Sequence, residues 1–255
     1  GTLSGPTTAS CGDANAYSCS GGSGTYLWEY SSNGGTTYTT VSGATTSSTT
    51  ISFNTTGTYL VRVKREATGC STSTSNVITT VVSTPTQGVS TATAVVIPSL
   101  PYSGLHNTYC YPTTFSGSGN QATAAKFFKF TTGSCANKVT INTCDVTSIF
   151  DTYIFLLNSA GTVIASNDDY NGCAYLVNGN AYLSRILDFT VTPSTDYYVV
   201  VQAYRYASPA SGTFGLNISE SGGSIVVPSV SISGGATICS GEQLTLTATP
   251  VNGGT

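Results

Sequence analysis

The chain has 255 residues, of which 7% are charged, and its formal net charge is −3. Soluble proteins carry about 25% charged residues, so this surface is built mainly from neutral side chains. The sequence has no basic cluster, which excludes the usual kind of nucleic-acid binding. No apolar run approaches the roughly 18 residues of a membrane-spanning helix. Disorder is excluded as well, because 16 Tyr and 9 Phe residues supply aromatic groups for a core.

Residues 1–83 consist of short alternating stretches separated by turn signals. Period-two alternation at 26–30, 49–53 and 58–64 predicts β-strands, and the Gly- and Asn-containing segments between them predict turns. Strands at this spacing are typical of a two-sheet sandwich. We expect Trp28 to lie in its core and Tyr59 to form a tyrosine corner.

This first segment also contains motifs of a known family. They are a Cys near the start, Tyr-x-Trp at 26–28, Asn-Gly-Gly-Thr-Thr-Tyr at 33–38, Gly-Thr-Tyr-x-Val at 57–61, Gly-Cys-Ser at 69–71 and Asn-x-Ile-Thr-x-Val at 76–81. The segment resembles the immunoglobulin-like repeats of secreted Bacteroidetes surface proteins, which include gliding-motility adhesins and cargo of the type IX secretion system. The resemblance implies a disulfide between Cys11 and Cys70 and leaves Cys19 over.

Residues 84–88 are interpreted as a linker, and residues 89–221 as a second module. The stretches 126–130, 139–141, 152–157, 162–164, 187–191, 197–201 and 213–218 are predicted strands, and none shows a helical apolar period. The chain is therefore predicted to be all-β, with two sandwiches in tandem.

The second module has a more specific resemblance. Its motifs are Cys144-Asp followed by Ile-Phe-Asp-Thr-Tyr-Ile at 149–154, Asn-Asp-Asp at 167–169, Ser-Arg-Ile at 184–186, Tyr-Tyr-Val-Val-Val at 197–201 and Ser-Gly-Thr-Phe-Gly-Leu at 211–216. These are similar to bacterial pre-peptidase C-terminal domains. The resemblance implies a jelly-roll-like sandwich that assists a secreted protein and is not itself catalytic. Residues 174–183 exceed the expected length there and predict a protruding loop.

Acidic residues are concentrated in the second module. Asp151, Asn167, Asp168 and Asp169 are predicted ligands of a structural calcium ion, because carboxylate and amide oxygens are the ligands that calcium prefers. The alternative is turn chemistry, in which Asn-Asp-Asp bonds its own backbone and Asp151 pairs with Arg185. No other cofactor is required.

The sequence gives little support for catalysis. A Ser-His-Asp triad would have to use His106, the only His, and no nucleophile elbow is present. Asp168 and Asp169 are sequence neighbours, so we expect their side chains to point apart rather than to act as paired carboxylates. The chain is therefore predicted not to be an enzyme.

Five tyrosines lie in or near predicted loops of the second module: Tyr170, Tyr175, Tyr182, Tyr204 and Tyr206. Exposed Tyr offers an apolar face with a polar tip, which suits contact with a glycan or a protein. The alternative is that these rings close the ends of the sandwich.

The eight cysteines predict disulfides and therefore a secreted protein, extracellular or at the cell surface. Within the second module we favour the bonds Cys144–Cys173 and Cys110–Cys135. Cys19 and Cys239 then remain as candidates for bonds between subunits. Because the sequence contains no Met, we expect it to be a processed product or an excerpt.

Residues 231–255 repeat the pattern of residues 3–25, and 222–255 are interpreted as a linker followed by the start of another immunoglobulin-like module. That segment is either a truncated module or a strand donated to a neighbouring copy. The predicted function is a non-catalytic structural or adhesive segment of a bacterial cell-surface or filament protein, with other copies, surface glycans or proteins as partners. The alternative is an accessory carbohydrate- or protein-binding module of a secreted hydrolase.

Overall fold

The computed structural model describes residues 1–22, 24–69, 71–117, 119–222, 229–233, 243 and 245–251. Within these ranges the regular elements are β-strands, apart from one short 3-10 helix. The predicted all-β class is therefore confirmed. None of the helical structure in these ranges is long and apolar enough to cross a membrane.

The first sandwich is formed by residues before 84. Its strands are β1 (Leu3–Ser4), β2 (Thr8–Ser10), β3 (Ala14–Cys19), β4 (Thr25–Ser31), β5 (Thr39–Thr40), β6 (Ser48–Ser52), β7 (Gly57–Glu66), β8 (Ser73–Thr74) and β9 (Ile78–Ser83). One sheet has the order β1-β3-β6, and the other has the order β2-β9-β7-β4-β5 with β8 also paired to β7.

Alternation in the strands builds the core of this sandwich. In β3 every second residue is buried, which places Tyr17 and Cys19 against Trp28 and Val61 of the other sheet. Trp28 is fully buried, and its indole nitrogen donates a hydrogen bond to the Thr46 carbonyl at 2.8 Å. The core position predicted for Trp28 is confirmed.

Tyr59 adopts the predicted tyrosine corner. Its ring is buried, and its hydroxyl donates to the backbone carbonyl of Thr55, four residues upstream, at 3.1 Å. This contact fixes the turn that leads into β7.

The second sandwich is formed by residues 95–222. A 3-10 turn (Thr91–Thr93) precedes β10 (Val95–Val96), β11 (Tyr102–Asn107), β12 (Ala125–Thr131), β13 (Ala136–Asn142), β14 (Thr152–Leu157), β15 (Val163–Asn167), β16 (Arg185–Thr190), β17 (Asp196–Ala203) and β18 (Thr213–Gly222). The sheets have the orders β10-β12-β17-β14-β15 and β11-β18-β13-β16.

Strand β14 is buried along its whole length because both of its faces are covered. Ile154 and Leu156 pack into the core between the two sheets. Tyr153, Phe155 and Leu157 point to the other face, where they form a smaller cluster with Phe115 and other side chains. A continuous apolar run is the pattern expected of a strand covered on both faces.

Two further strands, β19 (Ser229–Ser233) and β20 (Thr247–Val251), form an antiparallel pair. Ile232 pairs with Ala248 in the same way that Leu3 of β1 pairs with Cys19 of β3. The terminal pair is therefore antiparallel, as β1 and β3 are, and it includes Ile232, the residue that aligns with Leu3.

The disulfides differ in part from the prediction. Cys144 bonds Cys173, as predicted. Cys11 bonds Cys110, with 6.0 Å between the Cα atoms, so the predicted Cys11–Cys70 and Cys110–Cys135 bonds are wrong. The physical reason is that the turn between β2 and β3 lies against the turn that follows β11, which brings these two cysteines together.

The remaining cysteines have different surroundings. Cys19 and Cys135 are free thiols, the first buried and the second exposed. Burial makes Cys19 a poor candidate for a bond between subunits. Cys70 and Cys239 lie outside the described residues.

Candidate functional site

Strand register brings the acidic residues to one end of the second sandwich. Thr152 at the start of β14 pairs with Ala203 at the end of β17, and Ile154 pairs with Asn167 at the end of β15. The residues just before β14, just after β15 and just after β17 must therefore lie side by side. These residues include Asp151, Asp168 and Tyr204.

Asp151, Asp168 and Asp169 form a compact cluster. Each offers a carboxylate oxygen, and these oxygens lie within 4.8 Å of one another. The expectation that Asp168 and Asp169 point apart is wrong, because strand β15 ends at Asn167 and the chain bends at Asp168. The alternation of a regular strand does not apply beyond that point.

Burial makes the charged form of the cluster unfavourable. Loss of solvent, followed by repulsion from Asp168 and Asp169, raises the pKa of Asp151 to about 7. Burial and the charge of Asp169 raise the pKa of Asp168 to about 6, although Arg205 opposes the shift. Burial also raises the pKa of Asp169. The cluster therefore favours any bound cation that neutralises it.

Two carboxylate oxygens in this cluster lack a partner. Asp151 Oδ1 and Asp168 Oδ1 are buried without a hydrogen bond, and among the described residues no ion pair involves any of the three carboxylates. Asp151 therefore does not form an ion pair with Arg185, which was the alternative considered above. The Arg185 guanidinium instead lies over the ring of Tyr170, 5.2 Å from its centroid.

Asn167, the fourth predicted calcium ligand, is engaged in backbone contacts. Its side-chain oxygen accepts a hydrogen bond from the Arg185 backbone nitrogen at 2.7 Å, and its amide donates to the Asp169 carbonyl at 3.4 Å. These contacts hold the bend after β15, so Asn167 positions Asp168 and Asp169. This is the turn chemistry predicted as the alternative for Asn-Asp-Asp, and it coexists with the carboxylate cluster.

Above the carboxylates lies a pocket of about 300 Å³. Its walls come from the loop between β15 and β16 on one side and the loop after β17 on the other. The lining residues are Asp151, Asp168, Asp169, Val177, Asn178, Tyr182, Tyr204, Tyr206, Ala207 and Ser208.

Three of the five predicted contact tyrosines line this pocket. Tyr182 is held beside the carboxylates because its carbonyl accepts a hydrogen bond from the Thr152 nitrogen at 3.0 Å. The rings of Tyr204 and Tyr206 pack edge to face at 5.7 Å, and Tyr206 is 73% exposed. The two rings together form an aromatic surface at the mouth of the pocket.

The other two tyrosines lie elsewhere. Tyr170 packs on the small cluster of Cys173, Val177 and Leu183 at the base of the loop. Tyr175 is 46% exposed and does not line the pocket. Tyr170 thus closes the end of the sandwich, as the alternative interpretation predicted for such rings.

The loop between β15 and β16 is firmly anchored. The Cys144–Cys173 bond ties it to the segment after β13. At its tip Val177 and Asn180 form a bridge around Asn178 and Gly179, both of which have positive φ, as a two-residue hairpin turn requires. The predicted protruding loop at 174–183 thus forms one wall of the pocket.

Sequence reasoning missed Arg205 and Asn178. Arg205 lies over Tyr206 at 4.8 Å and over Tyr204 at 5.8 Å, and its backbone nitrogen donates to Asn120 Oδ1 at 2.8 Å. The Tyr-Arg-Tyr order at 204–206 was the available signal for a stacked cation. The Asn178-Gly179 pair was the signal for the turn that lines the pocket.

His106 lies away from this pocket. Its ring packs on Phe128 at 4.6 Å, and its Nε2 is 2.8 Å from the Tyr102 hydroxyl. Burial and the charge of Lys126 lower the pKa of His106 to about 4, so the ring is neutral at physiological pH. Its surroundings are those of a packed side chain at the edge of the core.

Chemically, the pocket offers hard oxygen ligands at its base and aromatic faces at its mouth. Closely spaced carboxylates bind calcium well, and tyrosine rings contact sugars or apolar side chains while their hydroxyls donate hydrogen bonds. Neither a general base nor a nucleophile is needed for either interaction.

No protein-family profile matches this sequence, and a search of curated proteins also finds no match. Among solved structures, the chain is similar to the pre-peptidase C-terminal domain of a collagenase from Bacillus anthracis. The identity is 18%, the coverage is 49% of this chain and 93% of that chain, and the TM-score is 0.31.

Two further structures are similar over most of the chain. One, described as a carbohydrate-binding module of the β-sandwich superfamily, is 13% identical with a TM-score of 0.25 and covers 87% of this chain and 98% of that one. The fibronectin(III)-like modules of Clostridium thermocellum CbhA are 12% identical with a TM-score of 0.25, covering 86% and 92%. These low identities and TM-scores do not transfer a function to this chain.

Proposed function

We propose that the chain is a non-catalytic, extracellular adhesive segment of a bacterial surface protein, and that it binds its ligand at the pocket of Asp151, Asp168, Asp169, Tyr182, Tyr204 and Tyr206. The observation that carries this proposal is the pocket itself, in which converging carboxylates lie beneath exposed tyrosines. The two disulfides support an extracellular location, because such bonds persist in oxidising compartments.

A calcium ion is the first proposed occupant of the pocket. The residues fit it, because two buried carboxylate oxygens lack hydrogen-bond partners and all three side chains supply oxygen ligands. Asp151, Asp168 and Asp169 would hold the ion, which would neutralise their charges. Asn167 would act on the backbone of the bend rather than on the ion.

The second proposed occupant is a glycan or protein group that contacts the tyrosines. Tyr206 projects furthest and is stacked on Arg205, so its ring is positioned before any ligand arrives. A rigid aromatic group loses little conformational entropy on binding. Contacts with exposed tyrosine rings at the mouth of the pocket suit reversible adhesion.

Calcium titration by calorimetry, followed by glycan and surface-protein binding screens with and without chelator, tests the proposal. We expect calcium binding to be lost in Asp169→Asn and retained in Asp188→Asn, whose carboxylate is exposed and outside the pocket. Ligand binding should fall at least tenfold in Tyr206→Ala and stay unchanged in Tyr175→Ala. Equal effects of the two tyrosine substitutions would contradict the proposed site.

The same pocket could serve an accessory module that holds a secreted hydrolase on its substrate. The two roles differ in what they bind. An adhesive segment should attach to intact cells or to surface proteins, whereas an accessory module should bind the purified polysaccharide or protein that the hydrolase degrades. Binding only to an isolated polymer substrate would favour the accessory role.

Head-to-tail association is a second candidate function. It is supported by the terminal pair β19–β20, which repeats the pairing of β1 and β3, whereas β3 also pairs with β6. A hairpin of this kind donated to another copy would join subunits in a chain. Deletion of residues 226–255 should abolish fibres in electron micrographs, and undiminished polymerisation would rule out this route.

A further inference from the structure

The two sandwiches meet at a seam with covalent and polar contacts. We define the seam by Cys11 and Gly12 of the first sandwich and Asn107 and Cys110 of the second. Besides the disulfide, the Asn107 amide donates to the Gly12 carbonyl at 3.2 Å. The Cys110 sulfur also lies 3.6 Å from the Asn54 carbonyl oxygen, which belongs to a different turn of the first sandwich.

The seam is closely packed. Tyr109 and Cys110 pack against the core of the first sandwich, so the second sandwich contributes side chains to it. Gly12 has φ of +82°, and a Cβ atom at this position would collide with the Asn107 side chain. The turn therefore needs glycine both for its backbone conformation and for the close approach.

The connecting segment is attached to the second sandwich rather than free. Gly88 donates to the Thr93 carbonyl at 2.5 Å and accepts from the Phe127 nitrogen at 2.8 Å. The Tyr111 hydroxyl donates to the Gln87 carbonyl at 3.2 Å. Within the predicted linker at 84–88, residues 84–86 make no such hydrogen bond in the part of the chain that the structure describes. Pro85 is nevertheless buried and, with Thr86, lines the junction cavity.

A half-buried cation completes the junction. Lys126 of β12 lies over the Tyr111 ring at 5.0 Å, in a cavity of about 230 Å³ that is also lined by Ser10 and Asp13 of the first sandwich. Burial lowers the pKa of Lys126, and the opposite charge of Asp13 across the junction opposes that shift.

We propose that the two sandwiches act as one rigid unit that is locked by the Cys11–Cys110 bond, and that reduction of this bond frees them to hinge at residues 84–86. This inference does not depend on the ligand of the pocket. In the unlocking step the S–S bond breaks, two thiols form, and a dithiol reductant supplies the two electrons and two protons while it is oxidised to its own disulfide. Locked, the unit presents its pocket in one fixed direction.

The variant Cys11→Ser/Cys110→Ser tests this lock. Small-angle scattering should show one compact shape for the oxidised wild type and a broader, more extended ensemble for the variant. Proteinase K, a protease of broad specificity, should cut at residues 84–86 at least tenfold faster in the variant. The matched control is Cys144→Ser/Cys173→Ser, which loses the other disulfide but keeps the seam and should behave as the wild type does.

Native reduction of the wild type provides the second measurement if the double variant does not fold. Faster cleavage at residues 84–86 on reduction, with the β-sheet circular dichroism retained, supports the lock. A wild type that is already cleaved as fast as the variant, or that scatters as a mobile pair while oxidised, would overturn the proposal. Unchanged rigidity after reduction would overturn it too, since the noncovalent contacts alone would then hold the unit.

Discussion

At the scale of single residues, the surroundings of Asp151 strongly change the pKa of its side chain. Burial and two neighbouring carboxylates raise its pKa to about 7, far above the 3.8 of an isolated side chain. The folded protein therefore binds a proton at Asp151 more readily than the unfolded chain does. This difference makes stability depend on pH, and the proposed calcium ion would change that dependence by competing with the proton.

Without calcium, the contribution of Asp151 to stability is greatest below about pH 4 and is lost as the pH rises to about 7. Asp168, with a pKa of about 6, acts in the same direction. Calcium favours the ionised form, so its stabilising effect should be large at pH 8 and small at pH 5. Thermal unfolding in chelator and in calcium at both values measures this.

The Asp151→Asn variant should remove most of this pH dependence and all of the calcium effect. Asp188→Asn carries the same charge change on an exposed strand and should leave both intact. If the melting temperature of the wild type at pH 8 is the same in chelator and in calcium, no calcium ion binds at this cluster.

His106 gives a second prediction, with the opposite sign. Because its pKa is lowered to about 4 in the folded state, stability should fall as the pH drops from about 6.5 to 4, by up to about 3 kcal/mol. His106→Phe should remove this slope. Tyr102→Phe, which removes only the hydrogen-bonding hydroxyl, should keep it. The free energy of unfolding, measured with denaturant across this pH range, distinguishes the two variants.

At the scale of elements, a hydroxyl network supports the base of the pocket. Thr143, Thr152 and Ser184 are fully buried. The Thr143 and Thr152 hydroxyls lie 2.6 Å apart, and the Ser184 nitrogen donates to them at 3.1 and 3.2 Å. The network joins the start of β14 to the residue before β16, and Asp151 lies next to it in sequence.

Replacing Thr152 with Val keeps the shape but removes a hydroxyl from this network. The polar groups left without it should cost about 1–3 kcal/mol of unfolding free energy, and the displaced strand start should weaken calcium binding. Thr190→Val, on an exposed position of β16, is the control and should change neither. Chemical denaturation and calcium titration give the two measurements, and full calcium affinity in Thr152→Val would show that the network does not position the cluster.

The strands themselves were largely predictable from sequence. Alternation located β4, β7 and β12, and the continuous apolar run at 152–157 located β14, because burial on one or both faces determines which residues a strand tolerates. Strands β3 and β11 were missed because polar residues interrupt their apolar pattern, and Asn15 is one of the residues that β3 buries. The short strands β1, β2, β5, β8 and β10 were missed as well, because two or three residues show no periodicity and pairing with other strands defines them.

The site was predictable only in part. The acidic residues were found because the chain has few charged residues and several of them fall in this module. The three pocket tyrosines were found because they lie in or near its predicted loops. The contact between the two neighbouring aspartates was missed, because it depends on a bend rather than on strand alternation. The Cys11–Cys110 bond was missed because it joins two sandwiches, and neither module alone contains the geometry that selects it.

At the scale of the whole molecule, the Cys11–Cys110 bond determines how the protein would carry tension. A pull on the N-terminus passes along the first residues and crosses the sulfurs directly to Cys110. Strands β3 to β11 lie inside the closed loop and so stand outside the load path, which continues through the rest of the second sandwich.

In force spectroscopy, the loop closed by the Cys11–Cys110 bond should not contribute to the extended length of the oxidised chain. The bond spans a sequence separation of 99, so reduction should add about 330–360 Å to the contour length of the fully stretched chain. A chain stretched by shear would thereby keep the strands inside the loop folded, while β1, β2 and the part of the chain after Cys110 absorb the strain. If unfolding of the strands inside the loop lengthens the oxidised chain, the load does not follow this route.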